Sequence, residues 1–196
     1  MSKLDAKSFC PATKQDWRNW LEQNHHTEDG VWLIVYKKSS KTPNLDWSES
    51  VDEALCFGWI DSVKQSVDKD RYKQYFCKRK PNSTWSKINK DKIEVLQAEG
   101  LMTEAGLKTI EIAKQNGSWT MLDSVEALIV PQDLENELLK YPNAMENYQG
   151  FSKSTQKSLL YWVISAKRSE TRIKRITDIA ENASNNEKPK PFRLSR

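Results

Sequence analysis

The chain has 196 residues, 37% of them apolar and 30% charged, with eight Trp, six Tyr and five Phe. That length suits one domain, or a domain with a second lobe, and the aromatic content excludes a chain without a packed core. The net charge of +4 is too mild to demand a nucleic-acid partner, and the longest apolar run, "VWLIVY" (31–36), is far shorter than the ~18 residues of a membrane helix.

Two further bulk features bear on compartment and partner. The first residues, "MSKLDAKSFCPATK", show no apolar core followed by a small-residue cleavage site, so a secretory signal is not expected. Cys10, Cys56 and Cys77 are odd in number and widely spaced; they do not form a disulfide framework, and a cytoplasmic location is expected. Positive charge is uneven: residues 69–92 hold nine Lys/Arg against two Asp, and residues 167–196 hold nine against four Asp/Glu. An anionic partner is compatible with that pattern.

In chain order, Thr13 is a plausible N-cap with Asp16 in the first turn, and Trp17, Trp20 and Leu21 form a helical stripe. Residues 31–38 predict a buried strand, rich in β-branched and aromatic side chains. Ser48 is expected to cap a short helix, "ESVDEALCFGW". Residues 60–67 and "YKQYFCKRK" (72–80) predict a hairpin, which Pro81 stops because it has no N–H to donate. Ser83 is expected to cap a long helix reaching about Glu99, with Gly100 just past its end.

Beyond this point the chain reads as helical. "TEAGLKTIEIAKQNG" runs from Thr103 to Gly117, followed by "PQDLENELLKYP", "STQKSLLYWVISAKR" and "ETRIKRITDIAENA". The fold class expected is α+β: a small antiparallel sheet with packed helices in residues 1–100, an all-helical lobe in 101–183, and a disordered basic tail in 184–196. Neither half is expected to carry a large core alone.

The stretches "EALCFGWIDS", "KRKPNSTWSKIN", "EGLMTEAGL", "AKQNGSW" and "AKRSETRIKRI", in that order, resemble the bacterial YdeI/OmpD-associated family of bacteriocin-protection proteins, over roughly residues 16–183. The resemblance implies a link to envelope stress and antimicrobial resistance. It implies no particular reaction and no catalytic residues.

Three groups of residues could carry chemistry. Trp59 and Asp61 stand at a helix–strand junction, where Asp61 could be a site carboxylate or a turn-organising one. Lys78, Arg79 and Lys80 precede the helix start expected at Ser83; with Ser83 and Asn89 they could cradle an anion on bare amides, and Trp85 could supply a stacking face. Solvated cations and an ordinary N-cap are the structural alternative. Lys167, Arg168 and Arg172 could form a basic ridge that enlarges the anion site, or could pair with neighbouring acids.

Other chemistry finds little footing. Adjacent His25 and His26 cannot easily share a metal, and no CxxC or HExxH spacing occurs. Cys56 lies among apolar neighbours and reads as core. Neither metal nor cofactor is expected. Trp17, Trp20, Trp32 and Trp162 read as packing, whereas Trp47 and Trp85 could wall a ligand. The function these readings favour is binding of an anionic small molecule or protein partner. The alternatives are an enzyme using Asp61 and a nucleic-acid binder on the same surface.

Overall fold

The computed structural model describes residues 6–40 and 44–193. The chain divides into two compact units, Met1–Met121 and Leu122–Arg196, each considered by itself. Residues 194–196 of the expected tail lie outside the described residues.

The first unit contains β1 (Ser8–Phe9), α1 (Lys14–Asn24), β2 (Gly30–Tyr36), α2 (Trp47–Cys56), β3 (Trp59–Ser66), β4 (Arg71–Lys78), α3 (Lys87–Ala98) and α4 (Glu104–Gln115). The sheet order is β1-β2-β4-β3. β4 pairs antiparallel with β2 and with β3, as the expected hairpin requires, whereas β1 joins the edge parallel to β2. The sheet is therefore mixed rather than purely antiparallel; two residues of edge strand carry no period that a sequence could reveal.

Alternation along β2 sends Val31, Leu33 and Val35 into a core shared with Trp17 and Leu21 of α1, Val51 and Leu55 of α2, and Phe76 of β4. Trp32 points to the opposite face and packs against Tyr75, with ring centroids 5.2 Å apart, so it does not line the core with Trp17. Thr13 and Asp16 form the expected cap of α1, each side chain accepting from the other's backbone N–H at 3.1 and 2.9 Å.

Two other caps differ from expectation. Asp46, not Ser48, caps α2, its Oδ1 accepting from the Ser48 N–H at 2.7 Å. The Ser48 hydroxyl instead receives Lys92 Nζ at 2.7 Å. Helix α3 begins at Lys87 with Ser86 as its N-cap, not at Ser83. Ser83 lies in the preceding turn and donates its N–H to the Lys80 carbonyl at 2.9 Å. The later start lets Trp85 leave the helix and bury itself, 1% exposed, with its ring centroid 5.0 Å from that of Trp119.

Helix α4 belongs to the first unit, so the chain divides at 121/122 rather than at 100/101. Gly106 explains the docking: a Cβ there would stand 2.3 Å from the Cys56 carbonyl oxygen, so only glycine lets α4 approach α2 so closely. The Thr103 N–H and hydroxyl both donate to that same carbonyl, at 3.1 and 2.7 Å.

The second unit is helical: α5 (Asp123–Glu126), α6 (Gln132–Leu138), α7 (Ala144–Gly150), α8 (Lys153–Ile164), α9 (Ser169–Ser184) and a 3-10 turn at Lys190–Phe192. Its core gathers Leu134, Leu138, Tyr148, Leu159, Leu160, Val163, Ile176 and Ile179. Each unit thus has a core of its own. Within the expected tail, Phe192 sits edge-on against Trp162 at 5.3 Å and Arg193 pairs with Glu187 at 2.6 Å. Among the described residues no helix is long and apolar enough to cross a membrane.

Candidate functional site

A cleft of about 620 Å³ opens in the first unit. The end of α1 supplies Glu22, His25 and His26; the α2–β3 junction supplies Phe57, Gly58 and Trp59; the end of β4 supplies Lys78 and Arg79; and α4 supplies one face from Thr103 to Ile112. Local geometry explains the convergence. The register pairs Trp59 with Lys78, and the Arg79 N–H donates to the Gly58 carbonyl at 3.0 Å, so the two chain ends emerge side by side. Gly58 adopts φ +72°, and a Cβ there would lie 2.6 Å from Thr109 Cγ2; glycine is what allows both the turn and the contact with α4.

Arg79 is the unusual member of this wall. Only 9% exposed, its guanidinium lies 3.5 Å from the Trp85 ring centroid. Among the described residues its guanidinium makes one hydrogen bond, from Nη2 to the Thr84 carbonyl at 3.3 Å, while Nε is enclosed without an acceptor. Among the described residues no carboxylate forms an ion pair with it. Burial pushes its pKa down to about 10, partly offset through space by Asp61; it is still a cation near neutrality. Trp59, 1% exposed and edge-on to Trp20 at 5.8 Å, also keeps an enclosed Nε1–H without an acceptor.

The remaining wall residues are held more conventionally. Lys78 Nζ donates to Asp29 Oδ1 at 3.1 Å and to the His26 carbonyl at 2.9 Å. His25 donates from Nδ1 to the Leu21 carbonyl at 2.8 Å, because a carbonyl can only accept. The His25 and His26 rings lie tilted against each other with centroids 3.7 Å apart, and the His25 ring is tilted against Phe57 at 5.1 Å. Among the described residues no cluster of His, Cys, Asp or Glu could hold a metal ion.

Residues 9–109, which carry most of this cleft, match the family described as a domain of unknown function, DUF8412, over more than half of the 196-residue chain. The chain belongs to that family. Residues 127–186, within the second unit, match the family described as Bacteriocin-protection, YdeI or OmpD-Associated, which bears out the resemblance read from the sequence. Of the five stretches behind that resemblance, "AKRSETRIKRI" falls in this bacteriocin-protection match, and the first three fall in the DUF8412 match. No curated protein and no solved structure matches the chain.

The expected site residues are divided between the two units. In the DUF8412 region, Trp59, Lys78 and Arg79 come together in the cleft. Asp61 is not in its lining; its Oδ2 accepts from Trp47 Nε1 at 3.1 Å and from Gln74 Nε2 at 3.2 Å. Lys80 is exposed. Ser83 is no cap, and the Asn89 N–H, in the first turn of α3, is taken by Ser86 Oγ at 3.3 Å. Trp85 is buried behind Arg79 and presents no open stacking face, whereas Trp47 is 44% exposed.

In the region that matches the bacteriocin-protection family, Lys167 and Arg168 are exposed where α8 passes into α9. Arg172 is not a free cation. Its Nε and Nη2 grip both oxygens of Asp133 at 2.6 and 2.8 Å, which holds the Asp133 carboxyl below its ordinary pKa.

Sequence reasoning missed the cleft residues on α1 and α4. One signal was present: Glu104, Lys108 and Ile112 recur every fourth residue, on one face of a helix already expected. The direction in which that face points depends on Gly106.

Proposed function

We propose that this protein, of the bacteriocin-protection type in its second unit, captures a small anionic ligand in the cleft of its first unit, with Arg79 as the anchor. The single observation behind this reading is an arginine nine-tenths buried, bordering a cleft and, among the described residues, paired with no carboxylate. A buried charge is ordinarily paired, because losing its hydration costs several kcal/mol per ion. The Trp85 face offsets part of that cost, about 2 kcal/mol when desolvated. An anion entering the cleft would offset the rest.

Two of the expected partners of Arg79 now have lesser parts. Lys78 remains in the wall but is held by Asp29, and Lys80 stays outside. Nucleic-acid binding has less support, since Trp85 offers no open face for base stacking. Catalysis by Asp61 has no observation in its favour. The reading assumes a cytoplasmic, reducing setting, which suits three free cysteines, with Cys10 exposed.

Thermal-shift and calorimetric titration against carboxylates, phosphates and nucleotides tests the proposal. At 100 times its Kd a true ligand stabilises the fold by about 2.7 kcal/mol, and Arg79→Gln should abolish that shift. If no anion stabilises the wild-type protein, the reading is wrong.

A further inference from the structure

The walls of the cleft narrow the class of anion. Phe57, Trp59 and Arg79 lie buried in its lining, while Glu22, Glu104 and Lys108 are exposed around its mouth. Resting on the reading of Arg79 as anchor, we propose that the ligand is a monocarboxylate with a flat apolar body, its carboxylate on Arg79 and its body along Phe57 and Trp59.

Charge balance favours one negative charge over two. A single buried guanidinium neutralises one. A phosphate monoester carries about −1.5 to −2 near neutral pH, so part of its charge would stay uncompensated in a site that water has largely left. Of the other cations in the lining, Lys78 is held by Asp29 Oδ1 at 3.1 Å and Lys108 stands exposed at the mouth. The two carboxylates at the mouth, Glu22 and Glu104, further oppose a dianion.

Shape points the same way. Arg79 stands 3.5 Å from the Trp85 ring centroid and makes one hydrogen bond to protein through its guanidinium. Most of its N–H groups are therefore uncommitted, and a planar two-oxygen anion matches the guanidinium fork. Size supplies the apolar half of the argument. A cleft of about 620 Å³ falls in the range that accommodates small organic ligands, roughly 300–1,000 Å³, and is far larger than an inorganic oxyanion requires. With Phe57, Trp59 and Ile112 in its lining, an apolar body would displace water from apolar surface.

Calorimetry at constant ionic strength with acetate, phenylacetate, phenyl phosphate and inorganic phosphate tests this. Phenylacetate should bind at least about tenfold, or 1.4 kcal/mol, more tightly than each of the others. Arg79→Gln should lose at least that factor, and Ala105→Phe, which narrows the cleft from α4, should weaken phenylacetate while the protein stays folded. In the wild-type protein the Trp59 indole N–H resonance should move on addition of phenylacetate, a readout that survives if Arg79→Gln fails to fold. Equal or tighter binding of phenyl phosphate or inorganic phosphate overturns the monocarboxylate class and leaves the anchor standing. Equal binding of acetate overturns the apolar half. Absence of binding by every anion, a folded Arg79→Gln that binds unchanged, or a Trp59 resonance that stays still under saturating phenylacetate removes the anchor itself.

Discussion

The two units bury different chemistry. In the first, Ser50, Glu53, Gln74, Arg79 and Ser118 are all buried among the hydrophobic side chains. In the second, the buried core residues among those described are aliphatic apart from Tyr148. Most of the buried polar groups of the first unit are matched: Glu53 takes Arg18 at 2.8 Å and Lys14 at 3.3 Å, and Gln74 meets Asp61 at 3.2 Å. The unmatched ones, Arg79 Nε and Trp59 Nε1, belong to residues lining the cleft. In the second unit the unmatched atom is the Tyr148 hydroxyl, enclosed in an apolar core. An unsatisfied polar group beside an opening has a ligand as one remedy; the same group in a closed core has none.

Substitutions at these positions can break the contrast, beginning with the largest effect. Glu53→Gln leaves Arg18 and Lys14 without their shared carboxylate and should destabilise the protein by roughly 3 kcal/mol, read from the denaturant midpoint. A loss under about 1 kcal/mol, the scale of a surface ion pair, would mean that the first unit does not depend on its buried charges.

The Tyr148 hydroxyl tests the other core. Burial pushes its pKa up to about 12, whereas an unfolded tyrosine titrates near 10. The folded state therefore holds its proton more tightly. Stability is complete below about pH 10 and falls as pH rises toward 12, by up to about 3 kcal/mol. Tyr148→Phe should remove that dependence and leave stability at neutral pH unchanged or improved by up to about 1 kcal/mol. Urea melts at stepped alkaline pH measure both. Cys56, pushed up to about 11 by burial, produces a similar decline beginning near pH 9, so Tyr148→Phe is best compared in a Cys56→Ala background. An unchanged alkaline decline would show that the Tyr148 hydroxyl finds a partner in solution.

The smallest effect sharpens the boundary of the cleft region. Ser86→Ala should cost about 1 kcal/mol as the loss of an N-cap, and Ser83→Ala should stay within about 0.5 kcal/mol. The reverse order would put the start of α3 at Ser83, with Trp85 inside the helix.

Local chemistry was legible wherever the signal spans a few residues. Thr13 caps the helix expected of it, the helix expected from Thr103 starts at Glu104, β2 and the β3–β4 hairpin form where they were expected, and Lys78, Arg79 and Lys80 were read together as cations ahead of a helix start. The edge strand β1, the short helices α5 and α7, and the choice between Ser83 and Ser86 were not legible. Each depends on too few residues to show a period, or on a competition that a distant partner decides.

The amino-acid order by itself determined the longer helices and strands, the cap of α1 at Thr13 and the presence of cations around residue 79, because propensity and capping act within one or two turns of chain. Only the tertiary structure decided that Trp85 turns inward to Trp119, that Gly106 brings α4 against Cys56, and that Arg79 is thereby buried beside a cleft. Those contacts join residues far apart in the chain, and the loss of water they impose on Arg79 is a property of the packed core.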